Sequence, residues 1–559
     1  MHCLPTYKAK RSNGNHPRLE INGTLVKEVE NFKLLGIHMD SQLKWNYQLQ
    51  KAVEKATNWV LNFIRLTKPT TGIEARLMRQ LYIATVVPKM TYGLDIWYTP
   101  PTKPIGHAHN TGSVSGLRQL TKIQRKAAIA IAGGLRSTPN ELLDAHAGIM
   151  PMELTLLKIC HRAIIRLATL PKQHPLHQMI RTTRRNTANL RYKTPIDNLL
   201  QIFEVDPERF EPIHPARTAP TYQAPFAIQI DASREKSMAY ESSDKADYRV
   251  YSDGSSHSDS VGASAILYRK GSKIPKATLK VCLGIGTEHN SYEAEAAGGN
   301  LAMWLLRAVN TIPSNTITVY IDNQALLKAL RFPKAKSGQW LVEGIVASAR
   351  DIPGQINMVW ISGHTDVGGN EAADEAAKSA ASGTSSRRDE LPPNLRRDFP
   401  TSASAERQAY NEELKLIWKN RWDNSPRAAR FKNVDPDYAF TKFRKISFSL
   451  SRAQSSLLVQ VRTGHIPLNA YLYRINKSPT SKCPNCWECR GGERATETVE
   501  HYLFECRAYR NLRYELYLEI KTNRPSLEEL TTDMTMAKQL LKYIAQTKRL
   551  KQYNDGIQE

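Results

Sequence analysis

A chain of 559 residues is longer than the ~250–300 residues that one hydrophobic core usually serves, so we expect several domains. Hydrophobic residues make up 41%, which excludes a disordered polymer, and without an ~18-residue apolar run or an apolar leader we expect neither a membrane span nor secretion. The 78 Lys and Arg residues against 53 Asp and Glu give a net charge of +25, which predicts a polyanionic partner.

Residues 1–175 predict a mainly helical domain. Apolar residues recur at helical spacing in YQLQKAVEKATNWVLNFIRL, EARLMRQLYIATVV and LRQLTKIQRKAAIAIAGG, and Pro and Gly separate these segments. From 176 to 246 the periodicity is lost, while basic residues and prolines become frequent. We therefore expect a basic, Pro-rich linker there.

The next part of the chain, residues 247–383, predicts an α/β domain with a mixed sheet. Three strands are predicted in YRVYSDGS, VGASAILYR and KATLKVCLG, followed by a helix, a strand, two helices, a further strand and a last helix. Residues 246–380 carry thirteen basic and thirteen acidic side chains, which leaves 65 basic and 40 acidic residues elsewhere. A neutral central domain between cationic flanks is the expected organisation.

Three acidic residues of this domain occupy positions where an acid is hard to explain structurally. Asp253 lies in the first predicted strand and Asp322 ends the fourth. Glu295 falls on the apolar stripe of the helix that follows the first three strands, whereas its neighbour Glu293 is expected about 200° away, toward solvent. A buried carboxylate is costly without a compensating cation or donor, so we expect positive charge near Glu295.

The predicted strands suggest what that charge is. If the first and fourth strands are parallel neighbours, Asp253 and Asp322 converge at one end of the sheet. Two magnesium or manganese ions, ~3.5–4 Å apart, would remove their repulsion and support phosphodiester hydrolysis. Taken singly, each acid is equally well explained as a turn cap or a solvated side chain.

A longer motif distinguishes these explanations. YSDGS, AEA on a helix, IDNQ at a strand end, and the W-x-x-GH-x-x-x-x-GNE-x-A-D segment from Trp360 to Asp374 occur in order across 247–383. Together they resemble a type I ribonuclease H. That family cleaves the RNA strand of RNA–DNA hybrids with two magnesium ions held by four carboxylates.

The resemblance implies roles for individual residues. It assigns four carboxylates to the metals, a loop histidine to proton handling or product departure, and a glutamine to the hybrid minor groove. The carboxylates are Asp253, Glu295, Asp322 and Asp374, the histidine is His364 and the glutamine is Gln324. The segment 331–338 is shorter than the long basic segment that the bacterial form has at this place. We therefore expect the cationic flanks to bind the hybrid.

A second linker is predicted at 384–405, followed by a helical, basic C-terminal domain at 406–559 that contains a cysteine cluster. Cys483, Cys486, His501 and Cys506 have the spacing of a CCHC zinc site, which would resemble a knuckle at 483–506. Cys489 is a competing ligand, and a cluster without metal is the alternative.

The flanks resemble the C-terminal part of a non-LTR (LINE-type) retrotransposon reverse transcriptase polyprotein. Residues 31–45 resemble the segment after the catalytic palm, 137–151 lie in a region similar to the thumb and connection, and the Cys/His tail resembles the polyprotein end. The chain has no paired-Asp polymerase motif, so we expect a protein unable to polymerise. An unrelated helical domain at 1–175 is the alternative.

Three functions are consistent with these features. The favoured one is a metal-dependent endoribonuclease acting on RNA–DNA hybrids, in the nucleus or the cytoplasm, that also binds other nucleic acid and other retroelement proteins. The first alternative is a catalytically silent nucleic-acid-binding or chaperone remnant, against which the four carboxylates argue. The second, DNA strand transfer or exonuclease activity, is disfavoured by the GNE-x-A-D motif. A membrane partner is disfavoured because the sequence has no basic amphipathic helix or lipidation signal.

Overall fold

The structure is a computed structural model. It describes residues 20–26, 29–103, 108–186, 193–217, 219, 221–309, 311–363, 367–486 and 494–550. The chain divides into two compact units, one formed by Met1–Cys160 with Leu414–Glu559 and the other by His161–Glu413. Within the described residues, no helix has both the length and the apolar character needed to cross a membrane.

Within its described residues, the first unit is mainly helical and includes two short hairpins. Its described strands are β1 (Glu20–Ile21), β2 (Thr24–Leu25), β3 (Asn31–Leu34) and β4 (Ile37–Asp40). Its N-terminal helices are α1 (Asn46–Arg65), α2 (Ala75–Leu81), α3 (Val87–Met90), α4 (Leu94–Trp97), α5 (Val114–Ala132), α6 (Asn140–Ala147) and α7 (Met152–Ala168), the last of which continues into the second unit. Its C-terminal helices are α15 (Ala403–Asp423), α16 (Pro426–Phe431), α17 (Thr441–Ser447), α18 (Arg452–Thr463), α19 (Asn469–Arg474), α20 (Arg510–Ile520), α21 (Leu527–Thr532) and α22 (Met534–Gln546), the first of which begins in the second unit.

Residues 1–175 and 406–559 were expected to form separate domains. Most of both regions instead belongs to one unit, which contains the chain up to Cys160 and from Leu414 onward. A buried arginine shows one physical reason. Arg452, at the start of α18, donates hydrogen bonds to the carbonyls of Ala130 (2.7 Å) and Ile131 (2.8 Å) at the end of α5. The last carbonyls of a helix lack partners within it, so a distant arginine that satisfies them ties the two regions together. Neither region's sequence pattern reveals this contact.

The second unit contains a six-stranded mixed sheet. Its strands are β5 (Ala227–Gln229), β6 (Tyr248–His257), β7 (Ser260–Arg269), β8 (Ala277–Ile285), β9 (Thr316–Ile321) and β10 (Gln355–Trp360). Its helices are α8 (Leu176–Asn186), α9 (Pro195–Ile202), α10 (Arg234–Ser243), α11 (Ser291–Ala308), α12 (Gln324–Arg331), α13 (Gln339–Arg350) and α14 (Gly368–Ala381). The strand order is β5-β10-β9-β6-β7-β8, with β7 antiparallel to both neighbours and the other pairs parallel. The predicted multidomain architecture with a central mixed sheet is confirmed.

Alternation along the strands gives the sheet two apolar faces. Val250 and Val319 belong to the larger core, with residues of α11, α12 and α13. Tyr251 and Tyr320 belong to a smaller core on the opposite face, which includes Ala373 of α14. Their rings stack with centroids 4.9 Å apart. Helices thus cover both faces, as expected for parallel strands that are buried on each side.

The segment 176–246, predicted to be a linker, contains regular structure. Pro195 starts α9 rather than interrupting a helix, because Thr194 and Asp197 form a reciprocal capping box before and after it. Further along, β5 pairs in parallel with β10 and adds an edge strand to the sheet. The prediction failed because a three-residue strand is too short for alternation to reveal it.

The segment 384–405, also predicted to be a linker, packs against the sheet domain. Leu391 and Leu395 are each 2% exposed and belong to the larger core. The backbone N–H of Ser386 donates to the Lys280 carbonyl (2.8 Å), and the Cys282 N–H donates to the Ser385 hydroxyl (2.8 Å), so the segment covers the free edge of β8. The linker prediction was wrong because the polar, Pro-containing composition of this segment gives no sign that its two leucines are buried.

Candidate metal centres

The pairing of β6 with β9 brings Asp253 and Asp322 to one edge of the sheet. The two strands are parallel, and Ser252 lies opposite Ile321, the last residue of β9. Asp253 and Asp322 are therefore the next opposed pair, on strands that run ~4.8 Å apart. Asp253 is 5% exposed and Asp322 is half-buried.

Helix α11 adds Glu295 because glycines let it approach the sheet closely. A Cβ at Gly254 would lie 2.3 Å from the backbone nitrogen of Glu295, and one at Gly298 would lie 3.1 Å from the carbonyl oxygen of Asp253. Any larger residue at Gly254 would force the helix away from β6. The Glu295 side chain is 6% exposed, so the helix delivers a buried carboxylate to the end of the strands.

The three carboxylates form one compact group. Asp253, Glu295 and Asp322 each offer an oxygen atom, and these atoms lie within 4.8 Å of one another. Burial, followed by repulsion from Asp322, raises the pKa of Asp253 to about 7. Burial, followed by the charges of Asp322 and Asp253, raises the pKa of Glu295 well above its ordinary value.

The Oε2 atom of Glu295 is buried and accepts no hydrogen bond from any described residue. An unsatisfied, crowded carboxylate is expensive, and a divalent cation with oxygen ligands removes both the repulsion and the unmet bonding. The donors therefore fit a hard cation such as Mg²⁺ or Mn²⁺.

Asp374 lies beside this group but is not one of its three members. Its helix, α14, is anchored by Ser264, whose hydroxyl donates to the Ala373 carbonyl (2.6 Å). Asp374 contributes to the raised pKa of Asp253, so the two charges interact. Its carboxylate forms an ion pair with Lys378 at 2.6 Å. Lys378 was missed from the sequence, although the spacing of four residues on a helix favours such a pair.

The other predicted residues have different outcomes. His364 lies outside the described residues. Gln324 is the first residue of α12, and its Oε1 accepts a hydrogen bond from Lys328 (3.3 Å). Glu293 does not face solvent as predicted: it is 1% exposed, because it completes a capping box with Asn290 at the start of α11. Helical geometry directs Glu293 away from the stripe that contains Glu295, but the cap and the surrounding chain bury that side of the helix.

One residue supports Asp322 without having been predicted for that role. The indole N–H of Trp360, at the end of β10, donates to the backbone carbonyl of Asp322 (3.0 Å). A Cβ at Gly363 would lie 3.1 Å from Asp322 Oδ2, so glycine leaves room for that carboxylate. The tryptophan and glycine of the W-x-x-G motif thus hold and accommodate the end of β9, a contact that appears only in three dimensions.

A second group of metal-ligand residues lies in the first unit. Cys483, Cys486, His501 and Cys506 are all buried, and their ligand atoms lie within 4.8 Å of one another. The Sγ atoms of Cys483 and Cys506 are 3.9 Å apart, and Cys486 Sγ is 3.4 Å from His501 Nε2. Tetrahedral coordination with metal–sulfur and metal–nitrogen bonds of about 2.3 and 2.0 Å requires separations of about 3.8 and 3.5 Å. Cys489 lies outside the described residues.

Local backbone geometry explains how two of these ligands meet. Residues His501–Glu505 form a π-helical turn, closed by a hydrogen bond from the Cys506 N–H to the His501 carbonyl (2.7 Å). This turn brings residues five positions apart to the same side. Burial raises the pKa of Cys486 to about 12 and that of Cys506 to about 11, so a cation is needed to hold them as thiolates at neutral pH.

No family model and no curated protein matches the chain. Similar solved structures include the N-terminal RNase H domain of Rv2228c from Mycobacterium tuberculosis, fused to maltose-binding protein, at 18% identity over 25% of this chain and 95% of that chain (TM-score 0.21). RNase H1 from the halophilic archaeon Halobacterium salinarum NRC-1 is similar at 18% identity over 24% and 98% (TM-score 0.20). LC11-RNase H1 in complex with RNA/DNA hybrid is similar at 13% identity over 24% and 97% (TM-score 0.21). We therefore infer function from the carboxylates and not from this likeness.

Proposed function

We propose that residues 247–383 hydrolyse the RNA strand of RNA–DNA hybrids by metal-dependent endonucleolytic cleavage. The observation that carries this proposal is the meeting of Asp253 from β6, Glu295 from α11 and Asp322 from the end of β9, with ligand oxygens within 4.8 Å. With raised pKa values, these groups are partly protonated near neutral pH unless bound cations hold all three as carboxylates. The order of the motifs, which resembles type I ribonuclease H, supports this choice of reaction.

We assign the binding of two magnesium or manganese ions to Asp253, Glu295, Asp322 and Asp374. Bound in this way, the ions would supply charge stabilisation to the phosphodiester and a nucleophilic water at neutral pH. Glu295 would be the buried ligand of the group, because the close packing of α11 on β6 holds its side chain in place. Asp374 is more exposed and is held by Lys378, so it can exchange that lysine for a cation when substrate binds.

Two further roles rest on the resemblance alone. His364, in a Gly-rich stretch of the sequence, would handle a proton or assist product departure. Gln324, at the N-terminus of α12 and two residues after Asp322, would contact the minor groove of the hybrid. Recognition of RNA would depend on 2′-hydroxyl groups and duplex shape rather than on sequence.

The flanks support a nucleic-acid-binding role through their charge. They carry 65 basic and 40 acidic residues against the neutral centre. We propose that they attach the hydrolase domain to nucleic acid within a retroelement-derived protein of the nucleus or cytoplasm.

The sulfur and imidazole donors of Cys483, Cys486, His501 and Cys506 suit zinc better than magnesium. We propose a structural zinc ion there. Three thiolates and one imidazole leave no position for a reacting water, so its contribution would be to folding.

Strand-specific cleavage tests the proposed activity. We expect the protein in Mg²⁺ or Mn²⁺ to cut the labelled RNA strand of an RNA–DNA hybrid, and to leave its DNA strand, duplex DNA and duplex RNA intact. Addition of EDTA is expected to abolish cleavage. Cutting that persists in EDTA would reject the metal-dependent assignment, and hybrid binding without cleavage in any divalent metal would favour the silent nucleic-acid-binding alternative.

A further inference from the structure

A basic cavity lies in the second unit, outside the carboxylate group. Its volume is about 860 Å³, and it is bounded by the loop between α12 and α13, by α7 and by the start of α15. Five cationic side chains line it: Arg166, Lys328, Lys334, Lys336 and Arg407. Two of the five, Arg166 and Arg407, come from outside residues 247–383.

The charge around this cavity is segregated. Among the described residues that line it, none is acidic, although residues 246–380 as a whole carry equal numbers of acids and bases. Cations that outnumber the neighbouring acids repel one another, and an anionic ligand relieves that repulsion. The cavity therefore has the electrostatics of a site for phosphate groups.

Arg407 is the most constrained of the five. Its Nε is buried and donates to no described residue. Burial lowers the pKa of Arg407, and the charge of Arg162 lowers it further. Glu211 offsets part of this, but Glu211 is itself fully buried and accepts hydrogen bonds from Gly338 N–H (2.7 Å) and Ala403 N–H (3.0 Å). That acid is therefore committed to joining the α12–α13 loop to α15, which also fixes the shape of the cavity.

Aromatic and aliphatic groups complete the lining. Phe332 is 55% exposed and Tyr292 is half-buried, and Leu170 and Val342 also line the cavity. Exposed aromatic rings among cations are typical of surfaces on which unpaired bases stack while phosphates contact Lys and Arg. The bases of a duplex are stacked on one another and cannot enter a cavity without being extruded.

The cavity is connected to the carboxylate group through α11, which contributes to both, and through α12, which begins shortly after Asp322. Tyr292 precedes Glu295 by three residues on α11, and Lys328 lies on α12, which begins two residues after Asp322. We propose that this cavity binds an unpaired nucleotide of single-stranded nucleic acid, with its base against Phe332 and neighbouring phosphates on the five cations. This site goes beyond the proposed cleavage reaction, because it would hold single-stranded segments adjoining a hybrid.

Binding measured in EDTA tests this site without requiring cleavage. Fluorescence anisotropy with a labelled RNA of about 20 nucleotides would compare the full chain with Phe332→Ala and with Lys334→Ala/Lys336→Ala. We expect each variant to bind the single strand about tenfold more weakly. Removing two phosphate contacts should also reduce the slope of log affinity against log salt by about 1.4. All three substituted residues are exposed, so thermal melting should show unchanged folding.

The matched control is Lys270→Ala/Lys273→Ala, which removes two exposed lysines from the β7–β8 connection and lowers the net charge equally. We expect it to bind the single strand within about twofold of wild type, and Phe332→Ala to bind a blunt RNA–DNA hybrid within about twofold of wild type. Unchanged single-strand binding in the cavity variants would overturn the proposal. Equal losses for the single strand and the blunt hybrid, or for cavity and control variants, would overturn it as well. A protein that fails to cleave hybrids can still pass this test.

Discussion

Replacing Asp322 by asparagine is expected to reduce RNA-strand cleavage by about a thousandfold or more, which corresponds to ~4 kcal/mol of transition-state stabilisation. The substitution keeps the size of the side chain but removes one anionic ligand from the group with Asp253 and Glu295. It also removes a repulsive charge, because Asp322 raises the pKa of both neighbours. Stability is therefore expected to be unchanged or higher, which separates loss of catalysis from loss of folding.

Two measurements complete this prediction. Hybrid affinity in EDTA should remain within about twofold of wild type, because most binding comes from cationic groups elsewhere. The matched control is Asp351→Asn, an isosteric change at an exposed carboxylate that pairs with Arg307 at 3.3 Å. The control should cleave like wild type. Equal cleavage by Asp322→Asn and wild type would reject the assignment of Asp322.

The second large effect concerns the cysteine and histidine group. Structural zinc contributes on the order of 10 kcal/mol of binding free energy that is coupled to folding. The Cys506→Ser variant should therefore lose the metal and unfold the segment around it. Elemental analysis should find about one zinc per wild-type chain and none in the variant. Limited proteolysis should cut the variant near residues 494–550 while the second unit stays resistant.

The control for zinc is Cys282→Ser, which alters a half-buried cysteine of β8 in the other unit. It should retain the metal and the wild-type proteolysis pattern. A folded, protease-resistant Cys506→Ser protein, or a wild-type chain purified without zinc in a zinc-containing medium, would contradict the structural role.

The sequence predicted the sheet domain well because its strands and its first helix are long enough for their residue patterns to be recognised locally. Strands β6 to β8 are nine or ten residues long, and Glu295 stands out as an acid on an otherwise apolar helical stripe. The parallel pairing of β6 with β9 then brings Asp253 and Asp322 together, as expected if the first and fourth predicted strands are parallel neighbours.

Predictions failed where long-range packing decides the structure. β5 has three residues and forms only because β10 offers an edge. Leu391 and Leu395 lie in a segment whose composition is that of a linker, yet both are buried. Glu293 is buried by its own capping interaction, which helical periodicity does not describe.

The cysteine group shows an intermediate case. The residue types and spacing predicted four metal ligands, and the structure brings these four residues together. Sequence could not indicate how His501 and Cys506 meet, because a spacing of five residues does not place two side chains on one face of an α-helix. The π-helical turn supplies that geometry. Such a turn depends on surrounding packing rather than on a recognisable motif.

Direct location of the bound cation tests the central claim. Crystals of the protein soaked in Mn²⁺ would be examined by anomalous diffraction at the manganese edge, with Glu295→Gln as the comparison. We expect anomalous density between the carboxylates of Asp253, Glu295 and Asp322 in the wild type, and weaker or absent density in the variant. Wild-type crystals with full manganese access and no density at these three side chains would contradict the account.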